Sequence, residues 1–250
     1  MSAPPRAGRA TVPGAAAARR AFWGAALRLG TLFVVGFYGA EWWAAQHSRR
    51  LDLSLAWEAA IPWWPQAYAV YFSVLLVPFL VRWLVPDAAA VQAWERRMAL
   101  ALALGVACFV LWPAQPAYPL PQADPWERWA WLQRLAQLLA GRYNLMPSLH
   151  VALSGITFLV LLPWVGRAAR LALGLWWLAL MASALLTHQH HVADVLAGLL
   201  LALAVHRILP TPASGTSPEP SLDASPGPAP DHSPERSPEH SPEHSPKGSP

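Results

Sequence analysis

The segment from Thr187 to Gly198 reads THQHHVADVLAG, which puts His188, His190 and His191 within four positions and Asp194 just beyond them, between two strongly apolar runs. Ionisable groups at membrane depth are costly, so their default reading is functional. His190 and Asp194 are four residues apart and share a face if the segment is helical. A carboxylate on one imidazole nitrogen fixes the tautomer and raises the basicity of the other. A second stretch, NLMPSLHVA from Asn144 to Ala152, supplies His150 behind Ser148 at the start of another apolar run. Proline is well tolerated where a helix begins, and the free N–H groups of a first turn face an approaching anion. Two histidines from separate helices, one backed by aspartate, suit phosphoryl transfer. One attacks phosphorus and the other protonates the leaving oxygen.

The elements that must carry these residues are apolar. Of 250 residues, 55% are hydrophobic and 13% charged. Six apolar runs lie near 23–46, 66–85, 97–114, 148–165, 169–187 and 191–209, each close to the roughly 20 residues that cross the hydrocarbon layer. The expected fold is all-α, an integral membrane bundle of six transmembrane helices, with three segments. Residues 1–21 form an N-terminal cytoplasmic piece, 22–209 the membrane domain, and 210–250 a tail rich in Ser, Pro, Glu and His. The tail holds too few apolar groups to offset the entropy of ordering and is expected to be disordered. The first run follows Arg19 and Arg20, like a secretory signal, but its length and the lack of a small-x-small site favour a retained anchor. PWERWAWLQRLAQLLAG, ending at Gly141, has the amphipathic spacing of a helix lying in the interface.

The net charge of +4 comes almost wholly from arginines scattered over loops, which argues against a nucleic acid partner. Fifteen tryptophans suit interfacial anchoring. The single cysteine, Cys108, offers no intrachain disulfide. Arginine placement sets the orientation. With the N-terminus inside, Arg6, Arg9, Arg19, Arg20, Arg82, Arg96, Arg97, Arg167, Arg170 and Arg207 are cytoplasmic, while Arg49, Arg50, Arg128, Arg134 and Arg142 are outside. Both termini are then cytoplasmic and both histidine stretches face outward. In a bacterium this would be the inner membrane.

PSLH followed some forty residues later by HHVADVLAG resembles the type 2 phosphatidic acid phosphatase superfamily of six-helix lipid phosphatases and phosphotransferases. The family's second block, Pro-Ser-Gly-His, is met at Pro147, Ser148 and His150, with Leu149 in place of glycine. Its third block is met at Ser183, His190 and Asp194 with the family spacing. The resemblance, over about 105–205, implies that His190 is the nucleophile, that Asp194 orients it and that His150 is the acid for the leaving group. It also implies metal-independent catalysis with no cofactor, acting on a lipid phosphate in the bilayer.

Two family phosphate ligands are missing. Ala184 stands where the third block has arginine, and FVLWPAQPAYPLP offers Gln115 before Pro116 where an arginine-proline pair belongs. The phosphoryl oxygens still need compensation, for which Arg142, Arg128 and Arg134 are candidates and Arg142 is nearest the motif. Ser148 and Asn144 are the other expected substrate contacts. The same combination is similar to the branch containing sphingomyelin and inositolphosphorylceramide synthases, whose His, His, Asp triad passes a headgroup between lipids. A non-catalytic scaffold of this fold is the rival from another class.

Milder readings stand beside these. His150 and His190 could be polar residues satisfied at helix ends, and Asp194 an acid favoured by the helix dipole. A zinc site through His188 with His190 or His191 would need Asp194 or His150 as a third ligand. Asp52 and Glu58 are expected outside, solvated or facing a cationic headgroup. Glu41, Arg28 and Arg82 are expected in interhelical pairs. The lipid, hydrolysis versus transfer, and the oligomeric state are not set by the sequence.

Overall fold

The computed structural model describes residues 14–115 and 128–209. The tail 210–250, the first residues of the N-terminal piece, and Pro116 with most of the loop that follows it lie outside the described residues. Eight α-helices and two short strands make up the rest: α1 Ala15–Ala45, β1 Leu51–Asp52, α2 Ala67–Phe72, α3 Val77–Leu84, α4 Ala88–Leu111, β2 Ala114–Gln115, α5 Ala130–Leu139, α6 Leu149–Leu161, α7 Arg167–Leu186 and α8 Val192–Ile208. Each of the six apolar runs is helical. Three helical segments, Ala15–Ala45, Ala67–Leu84 and Arg167–Leu186, are long and apolar enough to cross a membrane. The helix from Leu149 to Trp164 is apolar but shorter. α8 has 17 residues, and α4 carries Glu95, Arg96 and Arg97 in its first half.

α1 and α4 begin well ahead of their apolar runs. α1 starts at Ala15, where an alanine run of high helix propensity extends it. α4 absorbs the expected link after Pro86, because the Asp87 carboxylate caps it by accepting from the Ala89 and Ala90 N–H groups at 3.0 and 3.2 Å. The second run is broken rather than continuous. A 3-10 turn over Ser73–Leu76 separates α2 from α3, at the point where Pro78 has no N–H to donate back into the preceding turn.

α1 lies along α4, and α6 sits centrally against α3, α4, α7 and α8. One core cluster joins α1, α3, α4, α6 and α8 around Phe22, Trp94, Leu102, Phe109 and Ile156. A second joins α2, α5, α6 and α7 around Tyr68, Tyr71, Ala136, Trp177 and Leu180. α5 is amphipathic as expected, burying Leu132 and Ala136 and exposing Trp131 and Leu138. Arg28 reaches Glu95 on α4 through two contacts of 2.5 and 2.8 Å, an interhelical pair as expected. Glu41 instead accepts the backbone N–H groups of Arg142 and Tyr143 at 2.6 and 3.0 Å. Arg82 lies over the rings of Trp83 and Trp23 at 4.2 and 5.8 Å.

The closest helix-to-helix approaches at glycines are at Gly155 and Gly198, where only a hydrogen fits. A Cβ on Gly155 of α6 would meet the Trp177 ring at 2.5 Å, and one on Gly198 of α8 would meet the Ser148 carbonyl oxygen at 2.5 Å. The second contact brings the start of α8 against the start of α6, with the Ser148 N–H donating to the Asp194 carbonyl at 3.0 Å. Gly198→Ala is therefore expected to push α8 off α6 and cost about 1–3 kcal/mol. Thermal unfolding in detergent checks it: a midpoint equal to wild type would mean that the contact relaxes freely.

Candidate active site

The α6 start follows Pro147, with Ser148 in extended conformation as the N-cap and His150 in the first turn. The α8 start has His191 as its N-cap, and Asp194 in the first turn accepts the His191 N–H at 2.8 Å. His190 thus lies one residue before the helix cap rather than on the helix, which corrects the helical basis of the expected pairing. Asp194 still reaches it, because the capping geometry turns the carboxylate back toward the entering chain. His190 Nδ1 lies 3.5 Å from Asp194 Oδ2, with both side chains buried.

The tight junction of α6 and α8 brings the two motif histidines together. The His150 and His190 rings stand 5.8 Å apart, centroid to centroid, at an interplanar angle of 63°. Tyr71 of α2 stacks on His150 at 4.1 Å, and its hydroxyl lies 3.3 Å from His150 Nδ1. That contact leaves Nε2 for other partners, and the hydroxyl oxygen can accept from Nδ1 when the ring is protonated. Tyr71 was not singled out in the sequence, since nothing in its apolar run points to a partner in the Asn144–Ala152 stretch.

The other histidines are held from outside. His188 has a left-handed backbone, φ 55°, and its Nε2 lies 3.0 Å from the Ile61 carbonyl. His191 Nδ1 lies 2.6 Å from Glu58 Oε2, while Glu58 Oε1 accepts the Val192 N–H at 2.9 Å. Glu58 is fully buried, which overturns the expectation of a solvated loop acid. Its short 3-10 turn, Ala56–Ala60, buries that residue alone and sets it against the α8 cap. The Trp64 N–H also donates to the Leu186 carbonyl at 2.8 Å, and Gln189 donates to the Tyr68 hydroxyl at 3.1 Å. Asp52 stays exposed, and the Ser54 hydroxyl and N–H that donate to it hold its carboxyl below the usual range.

A cavity of about 450 Å³ opens beneath the paired rings. His150, His190, Asn144 and Gln189 line it; Asp194 and Ser148, both fully buried, are not among its lining residues. Among the described residues, no arginine or lysine lines it. Arg128, Arg134 and Arg142 are all exposed. Arg142 does not reach the cavity because its backbone is tied to Glu41, and its guanidinium sits 6.0 Å from the Tyr143 ring centroid. Ala184, at the position of the missing arginine, is fully buried in the second core cluster, and Ser183 donates to the Leu180 carbonyl. Four buried polar atoms around the rings, Asn144 Oδ1, Ser148 Oγ, His190 Nδ1 and Asp194 Oδ1, have no hydrogen-bond partner among the described residues. Buried polar groups are nearly always satisfied, so such a cluster marks a place built to meet something else. Among the described residues, no three His, Cys, Asp or Glu side chains converge as a metal-holding group.

Fold and site together define a helical membrane protein with a histidine pair and a carboxylate at the head of an apolar cavity. The chain belongs to the PAP2 superfamily, whose family model matches residues 41–208. The match begins well before the histidine motifs and takes in the Glu58 turn and α2 to α4, elements without motif residues. No curated protein and no solved structure matches the chain. Membership supports a phosphatase-type, phosphoryl-transferring enzyme of the membrane.

Proposed function

We propose that this chain hydrolyses a lipid phosphate or pyrophosphate through a phosphohistidine on His190. The observation that carries the reading is the convergence of His150 and His190 at the head of one cavity. A phosphorus between the rings could lie within reach of both, as attack and protonation require. His190 Nε2 attacks phosphorus, and Asp194 orients the ring through Nδ1 and stabilises its positive charge. The bond to the leaving oxygen breaks as His150 gives that oxygen a proton. Water, losing a proton to His150, then attacks the phosphohistidine and releases inorganic phosphate and free His190.

With no arginine or lysine in the cavity wall among the described residues, the phosphoryl charge is met by the first-turn N–H groups of α6 and by Asn144, with Ser148 buried beside them at the α6 N-cap. The exposed Arg142 acts at a distance, drawing the anion toward the site. Arg142→Ala is accordingly expected to lower kcat/KM less than about tenfold, mostly through KM, with the difference shrinking as salt screens it. A large fall in kcat, unaffected by salt, would make Arg142 a direct ligand.

In this reading α1, α2 with α3, α4, α6, α7 and α8 are six spans, with both termini cytoplasmic and the histidines outside. A reporter fused after Gly141 should be extracytoplasmic; a cytoplasmic signal inverts the topology. Hydrolysis itself is tested with purified protein and a labelled lipid phosphate in chelator. Inorganic phosphate release supports it, and label in a second lipid replaces hydrolysis with headgroup transfer. The absence of either, with folded protein, favours the scaffold.

A further inference from the structure

The cavity is polar at one end only. Below His150 the lining turns to Leu153, Met98, Leu102, Leu29 and Phe33. The hydroxyls in that wall are already used: Ser154 donates to the His150 carbonyl at 2.5 Å and Thr157 to the Leu153 carbonyl at 2.9 Å. Between α1 and the α2–α3 segment the cavity meets exposed Gly30 and Leu75, so its side is open where the bilayer would lie.

The far end is shut by aromatic rings. Phe22 of α1 stacks on Trp94 of α4 at 5.9 Å and meets Phe79 of α3 at 6.0 Å. The Trp94 Nε1–H donates to Thr157 Oγ1 at 3.1 Å, which pins the indole to α6. Seven residues of helix separate His150 from Thr157, so the floor lies roughly 10 Å below the catalytic ring. That is less than the depth of one leaflet, about 15 Å.

We propose that the Phe22–Phe79–Trp94 cluster is a specificity-determining floor that limits how much of a single alkyl chain the site buries beneath the phosphate. The occupant is a phosphorylated amphiphile whose chain enters sideways between α1 and α3. The inference rests on the phosphatase reading for the position of the phosphate. Continuity of the apolar wall with the histidine pair, and the position at that end of the two lining residues with unsatisfied polar atoms, Asn144 and His190, determine which way the ligand lies.

The test uses the full chain in detergent with single-chain alkyl phosphates of stepwise length, and the matching non-hydrolysable alkylphosphonates as ligands in thermal shift and competition. In wild type, affinity should rise roughly fourfold per buried methylene and then level off when the chain meets the floor. Phe79→Ala opens the floor from a half-exposed position without emptying the core, and should move the plateau to longer chains. Leu153→Trp fills the wall and should move it to shorter ones. An identical plateau in all three proteins, no plateau at all, or no phosphonate binding overturns the proposal. Length-dependent phosphonate binding without phosphate release would instead remove the hydrolysis reading and leave the floor standing. Phosphate release with no length dependence would do the reverse.

Discussion

Changing His190 to alanine should lower kcat by on the order of 10⁴- to 10⁶-fold, the scale seen when a covalent nucleophile is removed, with little change in thermal unfolding. The two parts of this expectation have separate causes. In the proposed mechanism His190 supplies the nitrogen that bonds phosphorus, so its loss removes the pathway rather than slowing one step of it. Yet its ring supports little structure. Its ring lies 3.5 Å from the Asp194 carboxylate and 5.8 Å from the His150 ring, and its Nδ1 makes no hydrogen bond among the described residues. The backbone N–H that ties the residue to the Ala184 carbonyl at 3.2 Å survives the substitution. Acid-labile label should be trapped on wild type after a single turnover with a labelled lipid phosphate and be absent from His190→Ala. Label persisting in the variant would place the nucleophile elsewhere, and unchanged turnover would dismiss the catalytic reading.

Glu58→Ala is expected to give the largest loss of stability. One fully buried carboxylate serves both the His191 ring, at 2.6 Å, and the Val192 N–H, at 2.9 Å. Removing one partner of a buried pair costs about 3–5 kcal/mol, because the other group stays desolvated. The loss falls on the α7–α8 connection, the piece of chain that carries His190. Glu58→Gln keeps an oxygen for Val192 and should retain most of the stability. Thermal unfolding in detergent separates the cases: Glu58→Ala melting with wild type would mean that the turn around Glu58 contributes nothing to holding the site. Activity in Glu58→Ala should fall along with stability, since His190 is no longer fixed relative to His150.

The sequence made the helices legible because their driving force is local and compositional. Long apolar runs marked all six. It was less informative where a cap outweighed hydropathy, as at Asp87, which starts α4 ahead of its apolar run. Glu58 was misjudged for a similar reason. Its neighbours Trp57 and Ala59 are exposed, and nothing nearby in the chain shows that a buried cap lies across from it. Arg142 looked suitable through proximity to the motif, but sequence distance does not say which way a side chain leaves a backbone clamped by Glu41.

The chain's own order determined the His190–Asp194 pairing, since four residues at a helix entrance bring those groups together whatever surrounds them. Proximity of 150 to 190 was decided only by the packed bundle, where Gly198 lets two helix starts touch. The same holds for the choice among three adjacent histidines. Their spacing is identical in any fold, but Ile61 and Glu58, more than a hundred residues upstream, occupy two of them and leave the third facing the cavity. Local geometry fixes neighbours along a helix; burial and the partners of a side chain depend on segments that meet only after the whole chain has packed.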